Sequence, residues 1–288
     1  MSHTVTPPAR LGRTPLPDGR MLGWAEWGPA DGLPVLLCPG AATSRLLGFG
    51  SEALVDLGVR LISLDRPGLG ASDPLPGRSL TDWASDVTAF ASARELSGLR
   101  VVGFSQGAPF ALACAAASTA DAVAIVSGTD ELAHPSLAQK LVPDVAKMVA
   151  FATSDPVSAE AFFAGMTPQL LWEMIIGMSS ETDQAVYIED RFAQTFRQAM
   201  AEGFVQGPDG YARDTLLTMS RWPFDPSAIG VPVDLWYGAQ DTSPVHSPDF
   251  GETLAQRIPA ARHHLLPEAG GALLWTHARE ILRSLLGR

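Results

Sequence analysis

Cysteine is nearly missing from this chain: Cys38 and Cys114 are the only two in 288 residues. That is too few for a structural zinc site. One lies in an apolar strand-like run and the other in an alanine-rich helical run, so both read as buried free thiols packing as small hydrophobes. Positive charge is also scarce, with 20 Lys and Arg against 31 Asp and Glu and a formal net charge of −11. Acidity spread along the chain serves solubility and argues against nucleic acid or an anionic membrane as partner. No apolar run approaches the roughly 18 uninterrupted residues of a membrane span. The opening stretch from Met1 to Pro17 is polar and proline-rich and lacks the apolar centre of a secretory signal, which makes a cytoplasmic location the expectation. Internal repeats are absent, and no residue set resembles a metal or phosphate site, so no metal or organic cofactor is expected.

What is present is an alternation. Leu11 to Leu16 and Met21 to Trp27 flank Pro17-Asp18-Gly19, a hairpin signal. Short apolar runs follow at residues 34–38, 59–64, 99–104 and 122–126, and continuous apolar runs suit parallel strands covered on both faces. Helical patterns sit between them. One starts at Ser79, with Asp82 three residues on as an acidic first turn, and another runs from Gln106 to Ala117. Strand–helix alternation predicts a doubly wound, mostly parallel sheet. The rhythm breaks between 132 and 222, where helices are predicted over 143–152, 158–166, 169–178 and, as one long helix, 181–202. The expected organisation is a core of residues 1–131 and 223–288 with a helical cap, or lid, over 132–222. Six of the eight methionines lie in the cap, and such adaptable apolar side chains suit a pocket wall. Phe163, Trp172, Met174 and Met178 are the candidate lining residues there, with Trp275 from the final helix either lining the pocket or packing that helix.

Gly103-Phe104-Ser105-Gln106-Gly107 is a G-x-S-x-G pattern lying between an apolar strand and a helix. That is the setting of a nucleophile elbow, a sharp turn presenting a serine at the amino end of a helix. Three further blocks join it: Leu36-Leu37-Cys38-Pro39-Gly40-Ala41, Asp65 through Asp73, and Val231 through Asp241. On these four blocks the chain resembles the α/β-hydrolase superfamily over nearly its whole length, and is similar to its capped bacterial serine-hydrolase members. The resemblance implies an α/β-hydrolase fold with a helical cap. It implies Ser105 as nucleophile, the backbone N–H groups of Ala41 and Gln106 as an oxyanion hole, and Asp241 as the acid that orients the base, with Asp130 at the alternative acid position.

The same resemblance exposes the gap of most consequence. In the family the base is a histidine after the last strand, and the matching position here is Gly271, in Leu266-Pro267-Glu268-Ala269-Gly270-Gly271. Six histidines exist elsewhere. His263 and His264 fall inside the last strand, His277 in the final helix, His246 reads as a surface or capping residue, His3 lies in a tail, and His134 enters the cap, where it could overhang the pocket. A serine without a base is a weak nucleophile. Glycine would also leave space beside Ser105 for water or a ligand group. Three readings stay open on these grounds. One is an impaired hydrolase of a small apolar ester or related acyl compound, its histidine replaced by glycine to trap a complex. The second is a non-hydrolytic enzyme catalysing cyclisation, elimination or isomerisation with the same pocket and oxyanion hole. The third is a ligand binder that lost the chemistry.

Overall fold

The computed structural model describes residues 5–287; His3 lies outside them. Eight strands form one sheet: β1 (Arg10–Pro15), β2 (Met21–Trp27), β3 (Leu33–Cys38), β4 (Val59–Leu64), β5 (Arg100–Phe104), β6 (Ala122–Val126), β7 (Val233–Gly238) and β8 (Ala261–Leu266). Their spatial order is β1-β2-β4-β3-β5-β6-β7-β8. The first two pairings, β1 with β2 and β2 with β4, are antiparallel. Every later pairing is parallel. The β1–β2 connection is the predicted hairpin, with Gly19 at φ +89° where the turn needs a left-handed residue.

The helices are α1 (Ser51–Leu57), α2 (Leu80–Ala93), α3 (Ala108–Ala116), α4 (Pro143–Ser154), α5 (Pro156–Phe163), α6 (Pro168–Met178), α7 (Glu181–Tyr187), α8 (Asp190–Gly203), α9 (Asp209–Met219), α10 (Glu252–Arg257), α11 (Leu273–Thr276) and α12 (Ala278–Leu285). Apolar runs sit in the central strands because both sheet faces are covered. Val35 and Leu37 join one core with α1 and α12, while Leu36 and Cys38 join the other with α2 and α3. The same period of two repeats in β5, β6 and β7. Helix α2 begins at the expected Ser79, where the pair forms a capping box: Ser79 Oγ accepts from Asp82 N–H, and the Asp82 carboxylate accepts from Ser79 N–H.

Helices α4 to α9 all fall between β6 and β7. The single long helix expected over 181–202 is two helices, α7 and α8. Glu189 ends the first run and caps the second, its carboxylate accepting from the N–H of Phe192 at 3.0 Å. A carboxylate at an N-cap satisfies an orphan donor and faces the positive end of the helix, which outweighs continuation of the helical pattern.

Candidate active site

Ser105 follows β5 directly and opens a single 3-10 turn that leads into α3. Its φ is +49°, a left-handed conformation that a serine holds only when its surroundings demand it. The flanking glycines supply that demand. A Cβ on Gly107 would lie 2.0 Å from the Cys38 carbonyl oxygen, and one on Gly103 would lie 2.7 Å from the Ala111 Cβ. Strand and helix approach closely enough only because neither residue has a side chain, and the serine between them is pushed out at the bend.

The expectation that no imidazole reaches Ser105 does not hold. His246 Nε2 lies 2.9 Å from Ser105 Oγ, and His246 Nδ1 lies 2.6 Å from Asp241 Oδ2. An ionised carboxylate can only accept, so Nδ1 carries the proton and donates to Asp241, leaving the Nε2 lone pair to accept from the serine hydroxyl. His246 is no surface or capping residue: it is 8% exposed. The segment after β7 brings it there. Ser243 N–H donates to Asp241 Oδ1 at 3.0 Å and His246 N–H donates to the Ser243 carbonyl. An Asx turn continued through Pro244 thus folds the chain back, and an imidazole five residues after the acid faces that acid. The sequence Asp241-Thr242-Ser243-Pro244-Val245-His246 carries this signal, which is weaker than a family pattern and is legible only as turn chemistry.

Gly271 does lie beside Asp241, but the space is not free. A Cβ there would stand 2.9–3.0 Å from all three carboxyl atoms of Asp241. The loop after β8 is tied to the helical insertion instead. Asp183, in the first turn of α7, accepts from the N–H groups of Gly271 and Ala272, both at 2.8 Å.

The segment after β3 is pinned by Arg66, which is 1% exposed. Its guanidinium donates to the carbonyls of Pro39 at 2.6 Å and Gly40 at 3.0 Å, and through Nε to Asp214 of α9 at 2.6 Å. Asp214 is bonded also by Arg78. Ser44 N–H donates to the carbonyl of Ala199 on α8, so the insertion holds the segment from the other side.

Ser105, Asp241, His246, Gly271, Ala41 and Gln106 line one cavity. Leu171, Met174, Ile175 and Met178 of α6 and Phe196 of α8 make its apolar wall. Of the sequence candidates, Met174 and Met178 are there. Phe163 is not: it packs with Leu132, Val145 and Leu216 in a separate cluster. Trp172 stands edge-on to Phe196 behind the wall, and Trp275 packs against Phe104 and Phe192. His134 caps a short turn, Nδ1 accepting from Ser136 N–H, and is outside the cavity. Tyr187, Tyr211, Thr215 and Thr218 contribute to the lining and were not singled out from sequence, because residues on different helices acquire a common cavity only through packing.

Asp130 does not touch His246; it sits behind it, fully buried. Its Oδ1 accepts from Glu131 N–H at 2.6 Å, and its Oδ2 accepts from Ser247 Oγ at 3.3 Å. Burial pushes its pKa up to about 6, against the opposing pull of the Glu131 N–H and the Arg257 guanidinium. The acid is therefore protonated more tightly in the folded chain than in the unfolded one. The stability this lends is complete below about pH 4 and is lost as pH rises through about 6. The loss amounts to about 3 kcal/mol for a two-unit shift. Asn in its place presents the same acceptor and donor without ionising. Denaturant titrations of Asp130→Asn and the unsubstituted protein at pH 4 and pH 7 are expected to show the variant gaining about that much relative stability between the two. Equal differences at both pH values would refute the assignment.

Comparison with known proteins agrees with this architecture. The sequence matches the alpha/beta hydrolase family over residues 35–283, and the chain belongs to that family. A curated relative, a non-heme chloroperoxidase of Streptomyces lividans, is 36% identical over 104 residues. That match spans 34% of this chain and 36% of the relative, about a third of each. Among solved structures, a bromoperoxidase from Bacillus anthracis superposes with a TM-score of 0.69 at 20% identity, covering 97% of this chain and 100% of that one. The esterase RhEst1 from Rhodococcus sp. ECU1013 gives 0.68 at 19%, covering 96% and 98%. The enol-lactonase from Burkholderia xenovorans LB400 gives 0.67 at 19%, covering 96% and 100%. These likenesses concern the fold.

Proposed function

We propose that this protein is a serine hydrolase that cleaves a small ester or related acyl compound with an apolar body. The observation that carries the reading is the placement of His246 between Asp241 and Ser105. Ser105 Oγ attacks the carbonyl carbon while His246 Nε2 takes its proton. Asp241 holds the imidazole in the tautomer this needs and stabilises the imidazolium. Negative charge on the former carbonyl oxygen is met by the N–H groups of Ala41 and Gln106. The imidazolium then protonates the departing alkoxide, leaving an acyl-enzyme, and the same base activates water to release the acid. The apolar wall from α6 and α8 favours a substrate with a hydrocarbon body. The esterase and the enol-lactonase are named for the same bond class.

The readings as an impaired hydrolase, a non-hydrolytic enzyme or a ligand binder all leaned on a missing base. With an imidazole at hydrogen-bond distance they lose that support. The test is hydrolysis of nitrophenyl esters from two to ten acyl carbons, alongside intact-mass analysis after a fluorophosphonate probe. Turnover of at least one ester and a single adduct on Ser105 are expected. Neither turnover nor adduct would end the reading.

A further inference from the structure

The base in this chain sits on the connection between β7 and α10, outside any helix or strand, so something must hold that connection against the sheet. Ser247, the residue after His246, is 5% exposed and turned away from the cavity. Its N–H donates to the carbonyl of Gly128 at 2.9 Å, beyond the end of β6. The same carbonyl accepts from the Tyr237 hydroxyl at 3.2 Å. The Ser247 N–H and the His246 carbonyl share one planar peptide, so fixing the first orients the backbone that carries the imidazole. The hydroxyl adds a second fixture. Ser247 Oγ accepts from Gly251 N–H at 2.9 Å and lies 3.0 Å from Asp249 Oδ1 and 3.3 Å from Asp130 Oδ2. The groups around this hydroxyl are themselves tied down, Asp249 by Lys140 and Thr253, and Asp130 by Glu131 N–H with Arg257 beside it.

We propose that Ser247 is a positioning residue: its hydroxyl, set between Asp130 and Asp249, holds the connecting segment so that His246 stays in line between Asp241 and Ser105. The proposal rests on His246 being the base. Displacing an imposed base by as little as an ångström costs on the order of a hundredfold in rate. A base held from one side only drifts without changing the cavity that binds substrate, so the loss falls on kcat and not on KM.

The experiment is a double-mutant cycle on nitrophenyl ester hydrolysis with the full chain. Ser247→Ala is expected to lower kcat by about 10- to 100-fold with KM within twofold. In the His246→Ala background the same change is expected to have no further effect, because there is no imidazole left to aim. Ser247→Cys keeps the volume and loses the strong hydrogen bonds, and carries the same comparison if the alanine variant does not fold. Equal losses in both backgrounds would mean a purely structural role and overturn the proposal, as would unchanged kcat in Ser247→Ala. If His246→Ala alone left activity intact, the assignment of the base would fall instead, and the two failures are thereby told apart.

Discussion

Replacing His246 with alanine is expected to lower ester turnover by about a million-fold, the scale seen when the base of a serine triad is removed. What remains would come from the oxyanion donors and from binding. Two hydrogen-bond distances set this expectation, 2.9 Å from Nε2 to the serine hydroxyl and 2.6 Å from Nδ1 to the acid. The companion variant, Gly271→His, puts an imidazole at the position after the last strand. It is expected to lower turnover in the parent chain and to restore less than about tenfold of what His246→Ala loses, because a base must reach the proton it takes. The reason is steric. The new Cβ would stand 2.9–3.0 Å from the Asp241 carboxyl group, which Ser243 N–H and His246 already fix. Asp241 would have to move, and His246 would lose its orienting partner. Steady-state kinetics on the three variants decide the matter. A large gain from Gly271→His in either background would return the base to the loop after β8.

Arg66→Met is expected to lower kcat by roughly a hundredfold or more, the cost of losing the proposed oxyanion donor, the Ala41 N–H. The guanidinium never reaches the cavity, so the effect passes through a peptide plane. Arg66 holds the Gly40 carbonyl at 3.0 Å, and the Ala41 N–H lies on the opposite edge of that same planar peptide. Pinning the oxygen therefore aims the hydrogen. Methionine fills similar space but leaves the buried carbonyls of Pro39 and Gly40 without that donor, and Asp214 with only Arg78. Lysine is expected to do little better, since a single ammonium cannot reproduce the fork of a guanidinium that reaches three acceptors. Thermal melts of the variants separate this from unfolding. A folded Arg66→Met protein keeping more than about a third of parental kcat would remove the peptide-plane account.

A feature is legible in the sequence to the extent that the residues that make it lie close together along the chain. The elbow at Ser105 was legible because its chemistry is local: two glycines, one strand and one helix lie in one stretch from Arg100 to Ala116, and the close approach they permit is a property of that stretch. The sheet was legible because burial on both faces leaves continuous apolar runs, and the hairpin because only a residue such as Gly19 tolerates its φ. The capping role of Glu189 was missed because helical periodicity on both sides of it is nearly continuous and a carboxylate cap leaves little trace in the pattern.

The chain order alone determined the α/β alternation, the place of the helical insertion, the elbow at Ser105 and the position of Asp241 after β7, since each depends on residues close together in sequence. Tertiary structure decided which imidazole meets Ser105. Ser105 and His246 are separated by 141 positions, and their meeting depends on β5 and β7 flanking β6 and on a turn that folds the acid's own connection back onto it. Periodicity and motif spacing carry no information about such a distance, because it is set by strand order and by where a loop docks.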